Sequence, residues 1–153
     1  MIKRCANLSL IYALMALAFG VFFREFTKAN QFTGETTLSF IHPHYLALGT
    51  VFFLLLMVLD KTFAISSHKH MTALLVSYQI GLNITVLALF VRGLFQVLGT
   101  ELSRGLDASI SGVAGLGHTI LGVSLVLLLL KIRKQAAALS PDSEQKHSKN
   151  RVL

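Results

Sequence analysis

The architecture of this chain turns on LSFIHPHYLALGTVFFLLLMVL, residues 38–59. The run is as long as one crossing of a bilayer, roughly 20 residues of helix, and it holds no Asp, Glu, Lys or Arg. Two histidines, His42 and His44, flank Pro43 near its start. An imidazole is costly to desolvate, so a pair held there needs partners.

Working outward, the same apolar character recurs at residues 8–23, 71–92 and 110–130. With 54% hydrophobic and 14% charged residues in 153, the chain lies outside the range of soluble globular proteins. The expectation is an all-α integral membrane protein, an antiparallel four-helix bundle over residues 1–133 with a disordered basic tail at 134–153. Lys3, Arg4, Lys61, Lys69 and the cluster Lys131, Arg133, Lys134, Lys146, Lys149 and Arg151 all fall on one side of such a bundle. Both termini are then cytoplasmic, by the rule that keeps short basic loops inside, and the chain is a multi-pass protein of the bacterial cytoplasmic membrane.

The formal net charge of +7 comes mostly from the tail, which reads as an anionic-lipid-facing stop-transfer segment. A nucleic-acid partner is not expected. MIKR, an apolar run and Ala16-Leu17-Ala18 imitate a cleavable secretory signal, but the run continues to Phe23, so the first span is expected to be retained. Cys5 is the single cysteine, which excludes an intrachain disulfide and a thiolate metal cluster and leaves Cys5 a spectator. Hydroxyl residues in QFTGETTLS are expected to cap the second helix, and Asp107 or Ser109 the fourth.

The six histidines divide by position. His68 and His70 in the loop SSHKH, and His147 in the tail, read as solvated. His42, His44 and His118 lie in the outer half of spans. From the rise of about 1.5 Å per residue, His44 and His118 differ in depth by only a few ångströms. Facing helices can therefore bring them to either side of one flat cofactor. On the fourth span Ser111, Gly115, His118 and Gly122 share one face, a groove that either a porphyrin or a neighbouring helix can use. The i, i+2 spacing of His42 and His44 turns a helix by about 200°, so the two cannot bind one metal ion. With His44 facing its own bundle, His42 faces lipid, an outer loop or another subunit.

His42-Pro43-His44-Tyr45-Leu46-Ala47-Leu48-Gly49 resembles the H-x-H helix of the catalytic subunits of haem-copper oxidases and nitric oxide reductases. In that superfamily one histidine of the motif ligates a low-spin haem and the other, on the opposite face, a high-spin haem. The resemblance implies haem b on His44 and a second haem or metal at His42. The twelve helices of that superfamily form three arcs of four, which implies a homotrimer of this chain, with Gly49 on the His42 face allowing close approach. The third span has no histidine for a copper site, so the resemblance does not extend to oxygen reduction by this chain alone. Through VFFREFTKANQFTG, FVRGLFQVLG and ISGVAGLGH, residues 1 to about 133 also resemble a family of small bacterial four-span proteins of unknown function.

These readings combine into a membrane haem b protein, related to the oxidase catalytic subunit. His44 and His118 are its axial ligands, Gly115 and Gly122 give the ring room, and Arg92 and Arg24 pair with its propionates. It would take electrons from a respiratory donor, or bind oxygen or nitric oxide. The alternative is a cofactor-free four-span transporter or assembly partner whose histidines hydrogen-bond across helices.

Overall fold

The structure, a computed structural model, describes residues 1–65 and 70–138. The expectations for His68, Lys69 and His147, and for the tail beyond Ala138, fall outside the described residues. Four helices follow one another, each long and apolar enough to cross a membrane: α1 (Ile2–Ala29), α2 (Thr37–Phe63), α3 (Met71–Val97) and α4 (Arg104–Ala138). Each is longer than the apolar run that predicted it, because helix continues into the polar flanks. Lys131, Arg133 and Lys134 lie within the last turns of α4, which runs to Ala138.

The outside of the bundle is apolar. Leu14, Leu17 and Val21 on α1 and Leu55 and Val58 on α2 are all more than half exposed, the surface expected of helices solvated by lipid rather than water. The inside is aromatic and partly polar. Tyr78 stacks on Phe52 with ring centres 4.2 Å apart, and Tyr12 lies parallel to Phe53 at 5.7 Å. At their centre Asn83 links three helices, accepting a hydrogen bond from Tyr45 on α2 and donating one to Tyr12 on α1, each at 3.0 Å. Tyr78 donates to the Leu48 carbonyl at 2.8 Å. Cys5 is buried on α1, in keeping with a spectator role.

The second helix is not uniform. It opens as a 3-10 turn (Thr37–Phe40), passes through one α turn (Ile41–His44), widens to a π-helix (Tyr45–Val51) and closes as α-helix (Phe52–Phe63). Its buried positions explain the widening. Ile41, Tyr45, Gly49 and Phe53 succeed one another at steps of four, and each such step overshoots an α-helical face by about 40°. A π turn, bonded i to i+5, absorbs the overshoot and keeps Tyr45 and Gly49 on the face that meets α1. The contact there is close: a Cβ on Gly49 would lie 2.5 Å from Tyr12 Cγ.

The start of α2 is fastened to the end of α3. Thr36 caps the opening turn, its hydroxyl accepting from Leu38 N and donating to the Gly93 carbonyl at 3.1 Å, while Thr37 Oγ1 donates to the Leu89 carbonyl at 2.7 Å. The expectation of a hydroxyl cap is met by Thr36. On α4 the capping group is Ser103, whose Oγ accepts from Leu106 N at 3.3 Å, rather than Asp107 or Ser109. The helix begins earlier than its hydropathy suggested, and Asp107 sits inside its first turn. Between α3 and α4, Gly99 at φ +64° makes the left-handed exit that a glycine adopts without strain.

α4 packs chiefly on α3 through Ile110, Gly117, Leu121, Ser124 and Leu128. Gly81 and Gly117 set that distance: a Cβ on Gly81 would lie 2.5 Å from Leu121 N, and one on Gly117 2.8 Å from Thr85 N and Oγ1. The Thr85 hydroxyl is fully buried and has no hydrogen-bond partner among the described residues. It lies in the region where Gly117 brings α4 close to α3.

Candidate functional site: a histidine pair between two helices

α2 meets α4 along its Phe52–Phe63 half. Nearer the α3–α4 loop the backbones of these two helices stand further apart, and two side chains span the gap. The His44 and His118 rings lie with centres 6.4 Å apart and planes at 90°. Both are held in the same way. His44 Nδ1 lies 2.7 Å from the Phe40 carbonyl oxygen, and His118 Nδ1 2.9 Å from the Ala114 carbonyl oxygen, each one turn back on its own helix.

A carbonyl only accepts, so Nδ1 donates in both rings, and the Nδ1–H tautomer of a neutral imidazole has its lone pair on Nε2. Imidazoles that ligate metals are oriented in this manner, by a second-shell acceptor on the remote nitrogen. The spacing also suits a shared metal. With metal–imidazole bonds of about 2 Å and a further ~1 Å from each nitrogen to its ring centre, two rings on opposite sides of one ion have centres about 6 Å apart. Among the described residues no group of three or more His, Cys, Asp or Glu converges on a point.

The glycine-rich stretch of α4 divides into two faces. Gly117 is the packing residue, whereas a Cβ on Gly112, Gly115 or Gly122 would meet nothing within 4 Å. The stripe Ser111, Gly115, His118, Gly122 is thus open beside the histidine pair, and helix approach is served by a different residue. Sequence spacing left these two uses of SGVAGLGH undivided.

Arg92 lies at the loop end of the same groove. Its Nη2 donates to Asp107 Oδ1 at 2.6 Å, to the Asp107 carbonyl at 3.1 Å and to Ser111 Oγ at 2.7 Å. Ser111 Oγ in turn donates to the Asp107 carbonyl at 2.9 Å. The guanidinium therefore ties α3 to the first turn of α4, a carboxylate partner that the sequence reading did not assign to it. The side chains of this pair are 27% and 56% exposed.

His42 is turned the other way, as its spacing from His44 requires, and its partner is internal. Its Nδ1 lies 2.8 Å from the Ala16 carbonyl oxygen on α1, over Gly20, where an added Cβ would come within 3.2 Å of that nitrogen. Lipid, a loop or a second subunit had been expected to take this face. Gly49 is likewise used inside the chain, against Tyr12. Both residues on which the three-fold interface was argued are engaged within one chain.

Arg24 is exposed on α1, 3.7 Å from Glu25, and follows Gly20 by four residues on the face that His42 meets. The structure brings Arg92 to the open stripe of α4, whereas the ion pair it shows for Arg24 is with its neighbour Glu25 on α1. His70, the described member of the inner-loop pair, is exposed, as expected of a loop residue.

Fold and groove together define a small all-helical protein with four helices long and apolar enough to cross a membrane and a histidine pair between two of them. The chain belongs to the family described as "Protein of unknown function (DUF2871)", whose pattern matches residues 2–135. No curated protein and no solved structure matches it.

Proposed function

We propose that this chain is a membrane haem b protein that holds the cofactor between α2 and α4, with His44 and His118 as axial ligands. The observation that carries the reading is the pairing itself: two rings 6.4 Å apart, each with Nδ1 tied to a carbonyl and Nε2 left as the ligand atom. Coordination by iron offsets the cost of keeping two imidazoles in lipid. Haem held there by His44 and His118 would supply a one-electron centre or a site for a diatomic gas. The chain's own residues orient both imidazoles, leave room at Gly115 and Gly122, and set a guanidinium at the rim. Loop charge supports an orientation with both termini on the cytoplasmic side of a bacterial inner membrane, which puts the groove in the outer half.

The test is the visible spectrum of the detergent-purified protein produced with haem. Soret and α bands that sharpen on dithionite reduction are expected. His44→Ala and His118→Ala should each lose the six-coordinate low-spin form, while His42→Ala, altered on the far side of α2, should keep it. A featureless spectrum would favour the cofactor-free transporter or assembly partner, and unchanged spectra at full occupancy in both ligand variants would remove the ligand assignment.

A further inference from the structure

We propose that Arg92 is a carboxylate-recognition site at the rim of the histidine groove, and that Asp107 is its resident carboxylate, displaced when a ligand's own carboxylate arrives. The inference rests on the proposed function for the identity of that ligand, a metalloporphyrin with acidic side chains at one edge.

Ser111 belongs to the stripe that carries His118, and it accepts from Arg92 Nη2 at 2.7 Å. Seven residues of helix separate the two, about 10 Å of rise, comparable to the reach from the centre of a haem to the carboxylates at its edge. The guanidinium therefore stands on the open face of α4, above the histidine, at the end where the membrane gives way to water. It is already in the geometry of carboxylate recognition, because Asp107 Oδ1 sits 2.6 Å from Nη2. Nε and Nη1 make no hydrogen bond among the described residues, so an incoming carboxylate can engage Arg92 through them before Asp107 gives up Nη2.

Exchange is inexpensive for two reasons. An ion pair this exposed is weak, worth a factor of a few in an equilibrium. Asp107 also lies in the first turn of α4, where the helix N-terminus favours a negative charge with or without the guanidinium. The ligand carboxylate enters the same field, and Ser111 remains to orient Arg92 throughout.

A brace between helices and an exchange site predict opposite signs for one substitution. The full chain in detergent is titrated with hemin and with hemin dimethyl ester, in which both carboxylates are masked. The wild type should bind hemin about tenfold more tightly than the ester, the scale of one charge-assisted hydrogen bond. Arg92→Gln should bring hemin down to the level of the ester. Asp107→Asn, which removes the competing charge and keeps the shape, should strengthen hemin binding about two- to fivefold and leave the ester unchanged. In Arg92→Gln the Asp107 substitution should add nothing. Far-UV circular dichroism checks that each variant is folded, and the ester is an internal control within each.

Equal affinities for hemin and its ester in the wild type would overturn the inference while leaving bis-histidine binding intact. Weaker binding of both porphyrins by Asp107→Asn would show the pair to be a brace. Absence of binding by either porphyrin would overturn the proposed function and this inference with it.

Discussion

Replacing Gly117 by Ala isolates the contact that sets how far α4 stands from α3. The new Cβ would lie 2.8 Å from Thr85 N and Oγ1 and 2.9 Å from Ile84 Cγ2, against 3.4 Å where ordinary van der Waals contact begins. Thr85 N is backbone, so side-chain rotation cannot relieve the clash and the helices must part by about 0.6 Å. Overpacking of this kind costs about 1–3 kcal/mol. Glycine to alanine also favours helix by up to ~1 kcal/mol, which blurs a single measurement. Gly115→Ala supplies the correction, because it carries the same propensity gain at a position with nothing within 4 Å. The difference between the two variants should therefore be about 1–3 kcal/mol, with Gly117→Ala the less stable. Unfolding in mixed dodecylmaltoside and SDS micelles, followed by far-UV circular dichroism, measures it. Equal unfolding free energies for the two variants would refute the assignment of Gly117 to packing and Gly115 to open space.

Asn83→Leu should lower the unfolding free energy in the same assay by about 1 kcal/mol, since it strips the Tyr45 hydroxyl of its acceptor and the Tyr12 hydroxyl of its donor in a place where lipid offers neither. Tyr45→Phe, which removes one bond and leaves Asn83 with its others, should cost less. For the proposed orientation, Thr100→Cys in a Cys5→Ala background should react with a membrane-impermeant maleimide on intact cells, and Ala137→Cys only after permeabilisation; the reverse pattern would invert the bundle.

Hydropathy carried the large features of this chain, because the bilayer acts on each segment by its own composition. Four apolar runs became four helices without reference to one another. Helix geometry extended further. The i, i+2 spacing required His42 and His44 to diverge, and depth along two like-directed spans put His44 level with His118, as their ring contact bears out. Faces were harder to read, because a face acquires meaning only from the helix opposite it. Gly115 and Gly117 stand two residues apart in one glycine-rich run, and only the packing of α3 makes one a contact and leaves the other open. The π-helical widening depends on Tyr12 filling the space over Gly49, a contact between residues 37 positions apart. Arg92 was legible as an expensive intramembrane charge, but its carboxylate was not, since Asp107 reaches it only through the turn at Gly99 and the close approach of α4. The partner of His42 was hidden for the same reason. Ala16 offers it a backbone carbonyl, a group every residue possesses, which becomes a specific acceptor only where two helices cross.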